Sequence, residues 1–165
     1  MKPRASASLR PYAMADFPAV CAVHDAARPL ELERGGVDPV AGMRPMEEVA
    51  ERDAFFDSKT LVAEADGRVV AFVSWWDDFI SWLYVDPEYQ RQGLGRHLIA
   101  AAMERTGDQA WATALAGNGA SIGLFRSLGF EVVKRWADDC EGIPTEAVRL
   151  ALPTSHMANP KAGVE

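Results

Sequence analysis

A mixed α/β domain, built as an antiparallel meander followed by a parallel strand–helix–strand unit, is predicted by three observations. Residues 60–85, "TLVAEADGRVVAFVSWWDDFISWLYV", hold three β-rich runs separated by short turns. Directly after them, "DPEYQRQGLGRHLI" passes through a glycine-rich turn into a helical stripe. "QAWATAL" then resumes a strand pattern. Two strands joined by a helical crossover of that length form a parallel pair.

The elements follow in order. Residues 1–8 are small and polar and read as a loose tail. "LRPY" reads as a short edge strand, since Pro11 is tolerated only at an edge or strand end. Asp16 is placed to cap a helix in which Val20, Val23, Ala26 and Ala27 fall near helical spacing. "PLELERGGVDPVAGMRP" carries Pro and Gly punctuation and reads as a loop or broken helix, and "MEEVAERDAFFDS" as a helix. Asp66-Gly67 is a strong hairpin signal and Asp77-Asp78 a weaker one. The strand ending at Val85 stops before Asp86-Pro87, because proline lacks the donor for a central ladder. From Gly93, the residues Leu94, Leu98, Ala101 and Ala102 form an apolar stripe, which Arg105 and Gly107 close. Asn118 caps a further helix and Gly129 lies just past its end. "FEVVKRW" and "TEAVRLAL" are two more strands, and 153–165 is a polar tail. Residues 9–152 therefore make one domain.

At 165 residues the chain is long enough to bury a core without staples. Its formal net charge of −7 makes it a poor general binder of nucleic acid or anionic membrane, both of which need basic surfaces. Cys21 and Cys140 have no metal-ligand or redox spacing, so reduced thiols and no metal are expected. No segment has the form of a signal peptide, and no apolar run approaches the ~20 residues of a membrane span. A soluble cytoplasmic protein is expected.

The segment "QRQGLGR" leaves up to six consecutive amides uncommitted to helix bonds, at a point where the helix dipole adds partial positive charge. Gly93 and Gly95 remove side chains that would block a close approach, and Arg91 and Arg96 flank the loop. A diphosphate is the anion that fits best. The third glycine of the dinucleotide-binding fingerprint is absent, since position 98 is Leu, and a meander precedes the loop. A nucleotide-dependent oxidoreductase is thereby disfavoured.

Here the chain resembles the GNAT superfamily of acetyl-CoA-dependent N-acetyltransferases. Gln90-Arg91-Gln92-Gly93-Leu94-Gly95 is similar to the family's phosphate motif, preceded by "WLYVDPEYQ". Asn118 through Phe125-Arg126-Ser127-Leu128-Gly129-Phe130 is similar to its second motif. The resemblance covers about residues 9–152 and implies the GNAT-type fold. It implies that the amides of 91–96 hold the diphosphate of coenzyme A. The backbone of Leu83, Tyr84 and Val85 would pair with the pantetheine arm, Leu83 polarising the thioester carbonyl, with Asn118 near the acetyl end. Gln90, Leu94 and Phe125 complete the expected cofactor set.

The chain also departs from the family. Phe125 stands where many members have a tyrosine that protonates the departing thiolate, and a phenyl ring has no proton to give. Ser121, one turn earlier on the same face, is the substitute donor, unless it bonds its own backbone. Thr113 stands where a related subgroup has a glutamate base. Asp78 is five residues from Leu83, about 16 Å along an extended strand, too far for direct proton transfer. Asp77 and Asp78 read as a solvated turn, and His24 as a structural helix residue. Glu31 and Ser121 are the catalytic candidates, with the base otherwise open. Direct attack of an amine on the thioester, with no covalent enzyme intermediate, is expected, since positioning supplies much of the barrier reduction.

The resemblance puts the acceptor against the first helices. His24–Asp57 carries nine Asp/Glu and four Arg, a local balance of −5 that favours a small cationic amine. A peptide or protein amine and a non-catalytic acyl-CoA sensor are the alternatives, and a homodimer is left open.

Overall fold

The computed structural model describes residues 6–153; the remainder of both expected tails, 1–5 and 154–165, lies outside the described residues. Seven strands form one sheet in the order β1-β2-β3-β4-β5-β7-β6. They are β1 (Ser8–Pro11), β2 (Lys59–Ala65), β3 (Arg68–Trp76), β4 (Phe79–Val85), β5 (Trp111–Leu115), β6 (Glu131–Cys140) and β7 (Ile143–Ala151). Every neighbouring pair is antiparallel except β4 and β5, which run parallel as the crossover argument requires. β1 is an edge strand, and β6 is the other edge.

Five helices cover the two faces: α1 (Phe17–Arg34), α2 (Pro39–Gly42), α3 (Met46–Val49), α4 (Leu94–Thr106) and α5 (Gly119–Ser127). On one face, Val20 and Val23 of α1 and Met46 and Val49 of α3 pack on Val62, Phe72 and Trp82. On the other, Leu94, Leu98, Ile99 and Ala102 of α4 and Phe125 of α5 pack on Leu61, Val73, Ile80 and Ala112. The apolar stripe expected from Gly93 onward is thus the buried face of α4.

Three local expectations are corrected. α1 does not break at Pro29 but continues to Arg34, which moves Glu31 and Glu33 from a loop onto a helix. The proline forfeits one helix bond, but the buried residues on both sides of it, Val20, Val23, Ala27 and Leu32, keep the helix seated on the sheet. Asp16 does not cap α1 with its side chain; it accepts the Ala13 amide at 2.8 Å and pairs with Arg10, both contacts at 2.8 Å. "MEEVAERDAFFDS" is helical only over Met46–Val49, and turns follow.

The hairpin signals hold. Asp66 and Gly67 both have positive φ (53° and 75°), the backbone of a tight two-residue turn. Glu141 and Gly142 form a second such turn (51° and 85°), which extends β6 and β7 toward each other beyond "FEVVKRW" and "TEAVRLAL".

β4 contains the feature that shapes the site. Trp75 pairs with Ile80 and Ser74 with Trp82, so Ser81 is an extra residue, a β-bulge. The bulge reverses the side-chain phase. Ile80 packs on the α4 side, whereas Trp82 and Tyr84 pack on the α1 side. β4 and β5 pair only at Phe79↔Trp111 and Ile80↔Ala112, and past the bulge they separate.

Leu98 is fully buried at the centre of the α4 face. Leu98→Ala is expected to lower unfolding free energy by about 2–5 kcal/mol, with an unchanged urea m-value.

Candidate active site

Two cavities meet where β4 and β5 part. The first, of about 500 Å³, runs from the start of α4 along the free edge of β4 to α5. The second, of about 350 Å³, lies between α1, the α2–α3 segment and the β6–β7 hairpin. Glu31, Ser81, Tyr84, Thr113 and Ala114 line both.

The backbone of β4 is oriented by its ladder with β3. The Asp86 amide donates to the Val70 carbonyl at 2.8 Å, which sets the alternation: Trp82 and Tyr84 direct N–H and C=O toward β3. Leu83 and Val85 therefore direct theirs into the gap. Tyr84, expected to contribute backbone, instead reaches the cavities with its side chain. The Val85 carbonyl accepts from Gln90 Nε2 at 3.0 Å, which fastens the loop to the strand end.

The loop presents an unpaired donor array. Among the described residues, no amide from Arg91 to Arg96 has a hydrogen-bond acceptor; the first helix bond here is His97 N–H to the Gly93 carbonyl. Arg91 (φ 62°) and Gly93 (φ 85°) are both left-handed, which turns the chain sharply enough to aim these amides outward. A Cβ on Gly95 would stand 2.9 Å from Leu124 Cδ2, so glycine lets α4 lie close to α5. Gln90, Arg91, Gly93, Leu94, Gly95 and Arg96 all line the first cavity. Arg96 is anchored to α5 through the Ser127 hydroxyl at 2.8 Å and carbonyl at 3.2 Å. Gln92 is the exception: its side chain donates to the Glu88 carbonyl at 3.4 Å, and only its amide belongs to the array.

α5 contributes the far wall. Asn118 is buried, and its Oδ1 caps the helix by accepting the Ser121 amide at 3.2 Å. Phe125 is buried edge-on against Phe130, with ring centroids 5.1 Å apart, and also faces the first cavity. Ser121 lines that cavity, and its hydroxyl makes no hydrogen bond among the described residues. The alternative of a backbone-bonded serine is realised instead at Ser127, whose hydroxyl donates to Leu124 at 2.6 Å.

α1 reaches the gap because Gly35 and Gly117 have no side chains. A Cβ on Gly35 would overlap Leu115, at 2.3 Å, and one on Gly117 would stand 3.2 Å from the Arg34 carbonyl. Glu31 is thereby brought to the junction of the cavities, ion-paired with Arg28. Burial, with Glu31 nearby, raises the Tyr84 phenol well above its ordinary value. Arg28 also donates to Cys140 Sγ at 3.6 Å.

The acidic segment does not present a negative wall. Three arginines, Arg28, Arg44 and Arg52, line the second cavity together with Glu31, Asp53, Asp138 and Glu141. Arg52 pairs with Asp53 at 2.9 Å and with Glu141 at 2.7 Å, which holds Glu141 below the ordinary carboxylate range. The lining therefore sets three arginines against four carboxylates, a balance of −1, because most of the segment's carboxylates lie elsewhere than on this cavity. Asp77 and Asp78 form the β3–β4 turn, as expected. Ser81, Arg28, Arg44, Arg52 and Glu141 were not singled out from the sequence. Only Ser81 left a signal, as the one small polar residue among the large apolar and aromatic ones of "FISWLYV".

His24 is structural in its packing. It is buried between Trp82 and Tyr84 (ring centroids 5.9 and 4.8 Å), with Nδ1 2.8 Å from Asp25 Oδ1. Asp25 also accepts the Met46 amide at 2.8 Å, tying α1 to α3. Among the described residues, no His/Cys/Asp/Glu group has metal-holding geometry, and no helix is long and apolar enough to cross a membrane.

Residues 24–130 match the acetyltransferase (GNAT) family. An L-methionine sulfoximine/L-methionine sulfone acetyltransferase of Pseudomonas aeruginosa is 31% identical over 147 residues, covering 77% of this chain and 81% of the relative. The ribosomal protein bS18 alanine N-acetyltransferase of Escherichia coli is 40% identical over 78 residues, 43% of this chain but only 52% of that enzyme. Its crystal structure superposes with TM-score 0.68 at 22% identity, covering 89% and 93% of the two chains. A phosphinothricin acetyltransferase of Sinorhizobium meliloti in complex with AcCoA superposes with TM-score 0.65 at 19% identity, covering 96% and 95%.

Burial outweighs the Asp25 carboxylate and lowers the His24 pKa, so the unfolded chain binds a proton that the folded chain rejects. The stability that neutral His24 contributes is complete above about pH 6.5 and is lost as pH falls below it. The thermal midpoint is expected to decline from pH 7.5 to 5.5, and His24→Gln to flatten that slope; equal slopes in both proteins would remove the assignment.

Proposed function

The chain belongs to the acetyltransferase (GNAT) family, and from that premise we propose that it moves the acetyl group of acetyl-CoA to the amine of a small molecule. The observation that carries this reading is the open seam between β4 and β5, which joins an amide-lined cavity to a charged one. The small acceptor is favoured by the second cavity, whose 350 Å³ lies near the lower end of the ~300–1,000 Å³ usual for ligand sites. It is favoured also by the relative that acts on L-methionine sulfoximine, which aligns over most of its length.

The chain's residues suit each part of the donor. Six free amides at the start of α4, with Arg91 and Arg96 at the rim, match a diphosphate. Leu83 and the Val85 N–H offer an open strand edge, bounded by the Gln90 bond to the Val85 carbonyl, on which an extended amide-bearing arm would lie as an added strand. Asn118 and Phe125 flank that arm. The bound donor supplies an activated acyl thioester. The Leu83 N–H, directed into the gap, is assigned to its carbonyl oxygen, where charge develops during transfer.

A primary ammonium loses one proton to become nucleophilic, and Glu31, at the junction, is assigned to accept it. The C–N bond forms as the C–S bond breaks, with no covalent link to the enzyme. The nitrogen's second proton ends on the departing thiolate: the Ser121 hydroxyl is assigned to give its proton to the sulfur and to regain one from the nitrogen, so the serine finishes unchanged.

The test mixes the full-length protein with acetyl-CoA and a panel of small amines and follows free-thiol release. Release dependent on an amine is expected. Tight acetyl-CoA binding with release no faster than hydrolysis across the panel would turn the reading to a sensor. Glu31→Gln is expected to lower kcat at pH 7 by roughly 100-fold or more, the deficit shrinking at higher pH as the amine loses its proton unaided. Gly95→Trp is expected to lose CoA affinity with its far-UV circular dichroism retained, and Arg91→Ala to weaken affinity without touching the core. Ser121→Ala with an unaltered turnover rate would remove the donor assignment.

A further inference from the structure

We propose that the acceptor carries a carboxylate as well as its amine, and that the Arg44 guanidinium receives that carboxylate in the second cavity. This deepens the small-amine reading and rests on it for the orientation of the amine.

Arg44 differs from the other arginines of the cavity in how it is held. Its Nη1 donates to two neutral carbonyls, Ala41 at 3.0 Å and Met43 at 2.7 Å. Those bonds fix the guanidinium without neutralising it. Among the described residues its other nitrogens make no hydrogen bond, and the nearest carboxylate, Glu141, stands off at 3.8 Å from Nε. Arg28 is ion-paired with Glu31, and Arg52 is spread over Asp53 and Glu141. Arg44 is therefore a positioned cation with donors to spare, the arrangement that recognises a planar carboxylate.

Charge balance points the same way. A polycation would meet three arginines in this cavity, and a simple dianion would meet four carboxylates. A zwitterion fits both: its ammonium toward Glu31 at the junction, its carboxylate toward Arg44. The class is an α-amino acid or a close analogue. A peptide N-terminus is disfavoured, because its carboxylate is replaced by an amide that cannot compete for the guanidinium. The Glu141 contacts to Arg44 and Arg52 also tie the β6–β7 turn to the α2–α3 segment across the cavity mouth.

Equilibrium binding separates this proposal from the reaction itself. The intact protein, saturated with CoA, is titrated calorimetrically with a panel of L-α-amino acids, their carboxamides and the corresponding decarboxylated amines. At least one free acid is expected to bind roughly 10- to 100-fold more tightly than its carboxamide. Arg44→Gln is expected to erase that ratio by weakening the acid alone, and Arg44→Lys, which keeps the charge but not the fork, to restore part of it. A merely structural Arg44 would weaken acid and carboxamide alike, leaving the ratio unchanged, and that result overturns the proposal. So does equal binding of acids and carboxamides by the unaltered protein, or binding of neither, even where thiol release shows that acetyl transfer occurs. Carboxylate-dependent binding without any thiol release supports the site and removes the transferase reading instead.

Discussion

The parting of β4 from β5 is the constraint on which the rest of the structure depends. Two residue pairs hold the strands together, and the bulge at Ser81 then shifts the register of β4. β5 turns fully to β7, with five consecutive pairs, so among the described residues no strand pairs with the β4 edge beyond Ile80. Interior backbone donors and acceptors left without partners cost free energy comparable to lost hydrogen bonds. The open edge is thus a standing demand for a strand-like partner, and it lies where two cavities join.

The two sides of that seam solve their electrostatics differently. On the α4 side the chain uses backbone: free amides at a helix start, shaped by left-handed residues at 91 and 93, with arginines only at the rim. Such a site needs few particular side chains. On the α1 side it uses side chains in pairs, Arg28 with Glu31 and Arg52 with Asp53 and Glu141. Pairing lets many charges line a confined space at modest desolvation cost, and it leaves Arg44 anchored by neutral carbonyls as the exception. Glu31 and Tyr84 face both environments, which is why proton transfer is assigned to the junction.

Much of the fold was legible because its signals are local. The Asp66-Gly67 turn, the stop at Asp86-Pro87, the glycine-led start of α4 and the Asn118 cap each follow from the conformational limits of one or two residues. The errors arose where burial overrode local preference. Pro29 signals a break, yet α1 stays intact because its flanking residues are packed against the sheet. The helical pattern at 46–58 fails after one turn, where Ala50 and Phe55 are buried from within a turn segment. The Glu141-Gly142 turn was passed over, which left the β6–β7 hairpin short and hid its reach toward the second cavity.

The array of free amides at the start of α4 is legible in the residues alone, because it is made of backbone and one run, "QRQGLGR", dictates where its amides point. The second cavity, by contrast, comes into being only when the chain folds. Its wall combines Arg28 and Glu31 from α1, Arg44 and Arg52 from the α2–α3 region and Glu141 from a turn some 90 residues away in sequence (the Arg52–Glu141 bond spans 89). A linear count of charge over residues 24–57 sees a negative segment. Folding turns only Glu31 and Asp53 of those carboxylates toward the cavity, each paired with an arginine, and adds Asp138 and Glu141 from the far end of the chain, because ion pairing depends on distance in space and not along the chain.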